Sequence, residues 1–317
     1  MKKILLSTTL LVATAGVAAA EVTLSGSGRF GLDYAENRVA SDDVTAANKT
    51  ILAYRLRINV DAKFEADNGV TYGGRIRFQN TNGQSAAAFS PAMLYVEASG
   101  VRVEVGNANT AFDSVALMYN PEIGFQERSF GDPLGAYYSF NSGSYGAENN
   151  RVGIYVAYSV SGVNLKASLV QPDQTLADAG PTMQDEMSVA ADYTFNQFTV
   201  AAAYVQNGLG LEGNDQTFVG VAYKFSDAGS VGLNYNDNGD LTDVGGGEVG
   251  TSITLYGNYN INGITLAGYV TDLDVDGADT AYGLGASYDL GGATLAGAVE
   301  SGFDGDTRAD LGVRMSF

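Results

Sequence analysis

Polar and apolar residues alternate with a period of two along most of the chain. The pattern is cleanest over residues 51–64, where every second residue from Leu52 to Phe64 is apolar or aromatic. The alternate positions from Arg55 to Lys63 are charged or carry an amide. Because successive side chains of a strand point to opposite faces, this segment predicts a β-strand with one apolar and one polar face. Its length suits a membrane-crossing strand, which needs about 9–11 tilted residues.

The same pattern recurs to the end of the chain and predicts sixteen strands. Their connections alternate between tight turns, such as Ser99-Gly100, and longer acidic links, such as residues 172–185 and 237–250. Short turns at one end and long loops at the other are typical of outer-membrane barrels. We therefore predict an all-β fold, a 16-stranded antiparallel transmembrane β-barrel. The predicted strands lie at residues 22–34, 50–65, 70–80, 91–98, 101–107, 151–160, 163–171, 186–194, 197–206, 215–225, 229–236, 250–260, 263–272, 279–289, 292–301 and 306–317.

A single long interval, residues 108–150, breaks this pattern and keeps no period of two. Loops of this length are uncommon in compact folds and are usually functional. The interval also holds large apolar side chains, including Phe112, Leu117 and Phe125, which need a surface to pack on. We expect it to be the long third loop of the barrel, folded into the lumen, where it narrows the pore. An exposed acidic loop is the alternative.

The first twenty residues have the order of a secretory signal peptide. A basic start at Lys2 and Lys3 precedes an apolar run, and Ala20 ends a small-residue cleavage site. We predict cleavage after Ala20, which divides the chain into a signal peptide, residues 1–20, and a mature barrel, residues 21–317. An N-terminal helix is the alternative, but the apolar run is short for a membrane span of about 20 residues.

The composition narrows the possible chemistry. The chain contains no Cys, His or Trp, and 36 acidic against 17 basic side chains give a net charge of −19. This acidity argues against nucleic acid as a partner. The absence of His removes the commonest general base and the commonest transition-metal ligand. We therefore predict no catalytic residues and no enzymatic activity, although chemistry by carboxylates alone stays open.

Basic side chains are concentrated in the first third of the chain. Nine of them fall between Arg29 and Arg102, and alternation turns six of these toward the lumen on neighbouring strands. Carboxylates in the third loop offer the opposite charge, which Arg128 is expected to weaken. Opposed fixed charges select solutes by size and charge, whereas the alternative is that each arginine only solvates a polar face. The predicted basic wall is Arg29, Arg55, Arg57, Arg75, Arg77 and Arg102, and the predicted acidic loop residues are Asp113, Glu122, Glu127 and Asp132.

Several longer motifs carry a specific resemblance. They include YRLRINV from Tyr54, GNANTAFDSVALMYNPEIGFQERSFGD from Gly106 and TFVGVAYKFSDAGSVGLNYNDNG from Thr217. With these motifs the chain resembles the general-diffusion porins of purple non-sulfur bacteria and related alphaproteobacteria, the Rhodobacter-type porins. The resemblance covers essentially all of residues 21–317.

The resemblance implies a 16-stranded homotrimeric barrel in the outer membrane of a Gram-negative bacterium, in contact with outer-membrane lipid and lipopolysaccharide. It implies a water-filled channel for passive diffusion of small hydrophilic solutes and ions, weakly selective through a charged constriction. No cofactor is required, and Ca²⁺ is associated with the family in a general way. Matching positions assign the basic wall to Arg29, Arg55, Arg57, Arg75 and Arg77, and the loop at the constriction to Asp113, Glu122, Glu127 and Asp132.

Two points stay open after this comparison of motifs. Clustered carboxylates in residues 272–279 are oxygen ligands of the kind that Ca²⁺ takes, but a solvated acidic rim fits equally, and the metal-binding residues are unknown. The function also has alternatives. A substrate-selective outer-membrane channel would need a row of lumen aromatics, whereas Tyr95, Tyr155, Tyr256 and Tyr269 are scattered. A secreted calcium-binding β protein would need calcium-binding repeats, which the sequence lacks.

Overall fold

Antiparallel pairing closes the strands of the chain into a barrel. The structure, a computed structural model, describes residues 20–39, 47–146, 150–176, 180–242, 245–247 and 249–317. Within these residues β1 (Glu21–Ala35) pairs with β2 (Thr50–Glu65) on one side and with β17 (Thr307–Ser316) on the other. The sheet therefore has no free edge, which is the condition for a β-structure to span a bilayer.

The described residues form seventeen strand segments at sixteen positions around the barrel. β4 (Ala88–Phe89) and β5 (Met93–Ala98) both pair with β3 (Thr71–Thr81) and share one position. Pro91, which has no N–H to donate, lies in the break between them. The predicted 16-stranded antiparallel barrel is confirmed, and the predicted strand 91–98 is this broken one. The other strands are β6 (Val101–Gly106), β7 (Val152–Val160), β8 (Val163–Gln171), β9 (Glu186–Phe195), β10 (Phe198–Gln206), β11 (Gln216–Ser226), β12 (Gly229–Asp237), β13 (Thr251–Ile261), β14 (Ile264–Leu273), β15 (Ala281–Asp289) and β16 (Ala293–Ser301).

Apolar side chains cover the outside of the barrel. On β2 the predicted alternation is confirmed, because Leu52 is 75% exposed and Leu56 45%, whereas Ala53 is buried. The same outward display of Val, Leu, Ile, Phe and Tyr recurs on the other strands. An apolar belt of this extent is unfavourable in water but matches the hydrocarbon of a bilayer.

Aromatic rings form a row at the tight-turn end of the barrel. Phe64 stacks on Tyr72 with ring centroids 5.3 Å apart. Phe195 lies 5.5 Å from the Tyr193 ring and 5.7 Å from the Phe198 ring. Rings at this level suit the headgroup region of a membrane, so the row marks one edge of the apolar belt.

The N-terminal prediction lies largely beyond the described part of the chain. Residues 1–20 are not among the described residues, apart from Ala20, so the cleavage of a signal peptide stays a prediction. In the part that is described, no helix has the length and apolar character needed to cross a membrane.

The buried apolar core lies inside the barrel. Residues 108–150, here called the inner segment, connect β6 to β7 and are described apart from residues 147–149. Their apolar side chains form three buried clusters with inward-facing residues of the wall. The largest fully buried side chains of the segment are Phe112, Met118 and Phe125. The third loop is therefore folded into the lumen, as its apolar residues predicted.

Candidate functional site

The inner segment first follows the barrel wall at β8 and β9. Ala111 donates its backbone N–H to Ser168 Oγ on β8 at 2.9 Å, and Phe112 donates its own to Ser188 Oγ on β9 at 3.1 Å. The apolar side chains here pack on buried alanines of β9 and β10. Wall hydroxyls thus satisfy backbone N–H groups that have no strand partner, and small wall residues leave space for the segment.

The tip of the segment reaches the far side of the barrel. Phe125 is fully buried between β2 and β16. Asp310 of β17 accepts hydrogen bonds from the backbone N–H groups of Phe125 at 2.9 Å and Gln126 at 3.4 Å. Gly124 has a φ of 73°, and a Cβ there would overlap the Asp310 carboxylate. Glycine is therefore what allows the tip to approach β17.

Arg128 fastens the returning part of the segment to the wall. Its Nη1 lies 2.9 Å from Asp33 Oδ1 on β1, and its Nε lies 2.9 Å from Glu300 Oε2 on β16. The Tyr269 hydroxyl donates to Glu300 Oε1 at 2.7 Å and accepts the Phe130 N–H at 3.1 Å. The expectation that Arg128 weakens the acidic side of the loop is wrong, because carboxylates of the wall balance its charge.

After Arg128 the segment returns along the wall that it has already crossed. Leu134 donates its N–H to Asn238 Oδ1 at 2.9 Å, and Tyr138 donates its N–H to Glu186 Oε2 on β9 at 2.7 Å. Both passes therefore cover the wall from β8 round to β17. An opening remains between the inner segment and the inward-facing side chains of β17, β1, β2, β3, β5 and β6, and it is here called the slot.

The six predicted arginines of the basic wall lie on this side of the lumen and are partly buried. Arg29 and Arg55 are paired residues of β1 and β2. The other four arginines line a cleft of the slot, and Asp113 and Ser114 of the inner segment lie on its opposite side. This cleft is about 470 Å³ in volume, and its four arginines are Arg57, Arg75, Arg77 and Arg102.

Glu127, at the tip of the segment, joins the acidic and basic sides directly. Its carboxylate lies 2.7 Å from Arg314 Nη1, 3.6 Å from Arg29 Nη1 and 3.7 Å from Arg55 Nη2. Arg29 also donates to the Gln126 carbonyl. On the tight-turn side of Glu127 the lumen widens into a polar cavity of about 760 Å³.

Sequence reasoning missed Arg314. Alternation along β17 does turn it inward, since Leu311 on the other face is 56% exposed. Its place in the slot depends on barrel closure, which pairs Arg314 with Arg29 at the opposite end of the chain. The signal that could have found it is the expected pairing of the last strand with the first.

Asp113 and Glu122 lie on the acidic side of the slot. Tyr119 donates its hydroxyl to Asp113 Oδ1 at 2.7 Å, and burial raises the pKa of Asp113. Burial, followed by the charge of Glu127, raises the pKa of Glu122 to about 7, against the opposing effect of Arg29. The charge of Glu122 therefore changes close to neutral pH.

Asp132 lies apart from the basic wall. Its Oδ2 accepts the Ser129 N–H at 3.2 Å, and among the described residues it forms no ion pair with an arginine. Burial, followed by the charge of Glu122, raises its pKa to about 8. Of the four predicted carboxylates, Asp132 is thus the one that the fold does not bring to the slot.

The four lumen tyrosines do not form an open aromatic track. Tyr155, Tyr256 and Tyr269 are at most 8% exposed. The Arg102 guanidinium lies 3.7 Å from the centroid of the Tyr95 ring. A substrate-selective channel of the kind that slides its solute along aromatic rings therefore has no support here.

Metal binding gains no geometric support. In the described ranges, no three or more His, Cys, Asp or Glu side chains are grouped so that they could hold a metal ion. Association of Ca²⁺ with residues 272–279 stays a prediction.

A closed barrel with an apolar exterior, a polar lumen and a charged slot defines a transmembrane diffusion channel of the outer membrane. The chain belongs to the Gram-negative porin family, whose family model matches residues 7–308. It forms a water-filled channel for passive diffusion of small hydrophilic solutes and ions across the outer membrane. A secreted calcium-binding β protein is thereby excluded.

Similar proteins support the same assignment along the chain. The porin of Fuscovulum blasticum is 46% identical over 303 residues, which cover 94% of this chain and 100% of that protein. A solved structure of a Rh. blastica porin mutant is 44% identical, with a TM-score of 0.87, covering 93% of this chain and 100% of that one. A triple mutant of the Rhodopseudomonas blastica porin has the same identity and coverage, with a TM-score of 0.86.

Proposed function

We propose that the slot is the constriction that gives the channel its weak selectivity. Positive charge on the basic wall faces negative charge on Asp113, Glu122 and Glu127, so an electric field crosses the path of a passing solute. Cations then move along the inner segment and anions along the wall, and a dipolar solute must turn to pass. The observation that carries this proposal is the contact of Glu127 with Arg29, Arg55 and Arg314.

The direction of the selectivity follows from the wider charge distribution. The chain carries a net charge of −19, and the long connections at one end of the barrel are acidic. A negative entrance concentrates cations before they reach the slot. We therefore propose a weak preference for cations, to which Asp132 contributes little because burial raises its pKa to about 8. Passage involves no chemical step, so the protein is not an enzyme.

We also propose that three copies assemble into a trimer. The family resemblance supports this, and the apolar exterior of the barrel supplies surface that a neighbouring copy, outer-membrane lipid or lipopolysaccharide can cover. Chemical cross-linking of the protein in native membranes tests the assembly. Cross-linked products of one, two and three copies are expected, whereas single copies alone would contradict it.

A bound Ca²⁺ remains a separate proposal. The carboxylates of residues 272–279 support it, since Ca²⁺ takes six to eight oxygen ligands. Equilibrium dialysis with calcium tests it, using a variant in which Asp274 and Asp276 are replaced by asparagine. Equal calcium uptake by both proteins would contradict binding at this loop.

The channel and its selectivity are tested together in planar bilayers. Purified protein should give ohmic current steps. In a salt gradient the reversal potential should be shifted from zero toward the equilibrium potential of the cation. A protein that inserts but never conducts would contradict the channel. A reversal potential at zero or on the anion side would contradict the selectivity alone.

A further inference from the structure

Two arginines of the basic wall have amide partners and no carboxylate partner. Arg57 Nε donates to Gln79 Oε1 at 2.8 Å, and Arg77 Nε donates to Asn59 Oδ1 at 2.7 Å. Among the described residues neither arginine forms an ion pair. An amide oxygen orients a guanidinium group without neutralising it. Both guanidinium groups are therefore fixed in direction and keep their full positive charge.

The pairing of β2 with β3 brings these two groups to one place. Arg57 lies opposite Gln79, and Asn59 lies opposite Arg77, so the two arginines are diagonal neighbours on one face of the sheet. Diagonal positions are about 7–8 Å apart, which long side chains can bridge. Both arginines line the 470 Å³ cleft of the slot. Their terminal nitrogens can thus converge on one small anion.

The other two arginines of the cleft are already neutralised. Arg75 Nε lies 2.7 Å from Asp61 Oδ1 across the same two strands. Arg102 lies 2.7 Å from Glu104 and 3.1 Å from Glu97. Arg75 and Arg102 therefore have carboxylate partners, whereas Arg57 and Arg77 have amide partners. The uncompensated charge of the cleft is therefore concentrated on the two amide-held arginines.

We propose that Arg57 and Arg77 form a binding subsite for small dianionic oxyanions, namely inorganic phosphate and phosphate monoesters. The planar fork of a guanidinium group matches two oxygens of a phosphate. Ser142 Oγ, which accepts a hydrogen bond from Arg77 Nη1 at 2.9 Å, adds a hydroxyl at the edge of the subsite. The assignment rests on the proposed role of the basic wall as one side of the constriction.

Asp113 limits how tightly the anion is held. It lines the same cleft from the inner segment, and its negative charge repels a phosphate that leaves the wall. Conduction requires a site that binds its ion weakly enough to release it. The subsite should therefore slow the passage of phosphate and reduce the current while it is occupied, without trapping it.

Current block by inorganic phosphate tests the subsite. The current of the wild-type protein in a planar bilayer is first recorded in potassium chloride at an ionic strength of about 0.1 M and about pH 8, where phosphate is mainly a dianion. Phosphate then replaces part of the chloride at constant ionic strength. A reduction of the current that saturates with phosphate concentration is expected. A reduction that stays linear, or none, would overturn the proposal.

Two variants remove the subsite in different ways. N59D/Q79E keeps both arginines and gives each a carboxylate partner, and R57Q/R77Q removes the guanidinium groups. Each should raise the half-blocking phosphate concentration about tenfold or more, because a dianion loses its charge-assisted contacts. R75Q/R102Q is the matched control, since it removes two positive charges from the same cleft but only from paired arginines. R75Q/R102Q should raise the half-blocking phosphate concentration by about threefold or less, because it changes only the long-range electric field at the subsite.

Equal weakening by R57Q/R77Q and R75Q/R102Q would overturn the subsite, because it would leave only a long-range field. Unchanged block in N59D/Q79E would overturn it as well. Current steps of each variant in potassium chloride show that the barrel has folded and inserted, so a loss of phosphate block is not a loss of structure. A wild-type protein that inserts but carries no current in potassium chloride would contradict the channel itself and not this subsite.

Discussion

Replacement of Glu127 by glutamine removes the carboxylate that meets three arginines of the slot. The lost contacts are 2.7 Å to Arg314, 3.6 Å to Arg29 and 3.7 Å to Arg55. The side chain is 41% exposed, so water screens these pairs and the effect on folding stability should stay below about 1 kcal/mol. The effect on ion selectivity should be larger, because the freed arginines face the path of every ion.

The size of the selectivity change follows from the charge that is removed. A unit charge about 5 Å from an ion in water contributes about 0.8 kcal/mol, and screening at an ionic strength of about 0.1 M lowers this to about 0.5 kcal/mol. The change disfavours cations and favours anions by similar amounts, which gives about 1 kcal/mol between them. E127Q should therefore shift the ratio of cation to anion permeability about fivefold toward anions.

Reversal potentials in a potassium chloride gradient measure this ratio. D132N is the matched control, because Asp132 belongs to the same inner segment but does not reach the basic wall. Because burial raises the pKa of Asp132 to about 8, both variants are compared at about pH 9, where Asp132 is mostly ionised, as Glu127 is. D132N should change the ratio less than about twofold. Equal shifts in E127Q and D132N would show that the contact of Glu127 with the basic wall does not set the ion selectivity.

Two further predictions concern pH and the attachment of the inner segment. Glu122, with a pKa raised to about 7, is neutral below that pH and negative above it, so cation preference should rise between pH 6 and pH 8; reversal potentials check this, and E122Q should flatten the rise. Arg128→Met leaves Glu300 without its cation and leaves Asp33 paired with Arg38 alone. Loss of one partner of a buried pair costs about 3–5 kcal/mol, which partial exposure lowers to about 1–3 kcal/mol. Thermal unfolding should begin at a lower temperature and the open-channel current should become noisier, whereas an unchanged protein would show that Arg128 does not anchor the segment.

The barrel could be predicted from the sequence because its physics is local. Each strand must present one face to lipid and one to water, so apolar and polar residues alternate with a period of two in segments such as residues 51–64. The inward course of the third loop was also predictable, because Phe112, Leu117 and Phe125 need a surface that an exposed loop does not offer. The break between β4 and β5 was less predictable, because Pro91 alone does not show where strand pairing resumes.

The detailed pairing inside the lumen could not be predicted, because it joins residues that are distant in sequence. Arg128 lies in an acidic stretch, yet its partners are Asp33 and Glu300 near the two ends of the chain. Arg314 enters the slot only through closure of β17 onto β1. Asp132 is a carboxyl residue of the same loop as Glu127, but it lies apart from the basic wall and accepts the Ser129 N–H. These relations depend on register and on loop path, which alternation does not encode.

The arginines of β2 and β3 line the path of the permeating ions in the proposed constriction. The most direct test is the reversal potential of the variant R55Q/R57Q/R75Q/R77Q in a salt gradient, compared with that of the wild-type channel. The ratio of cation to anion permeability should shift toward cations by about tenfold or more, because positive charge is removed from one side of the slot. An unchanged reversal potential, in a variant that still conducts, would contradict it.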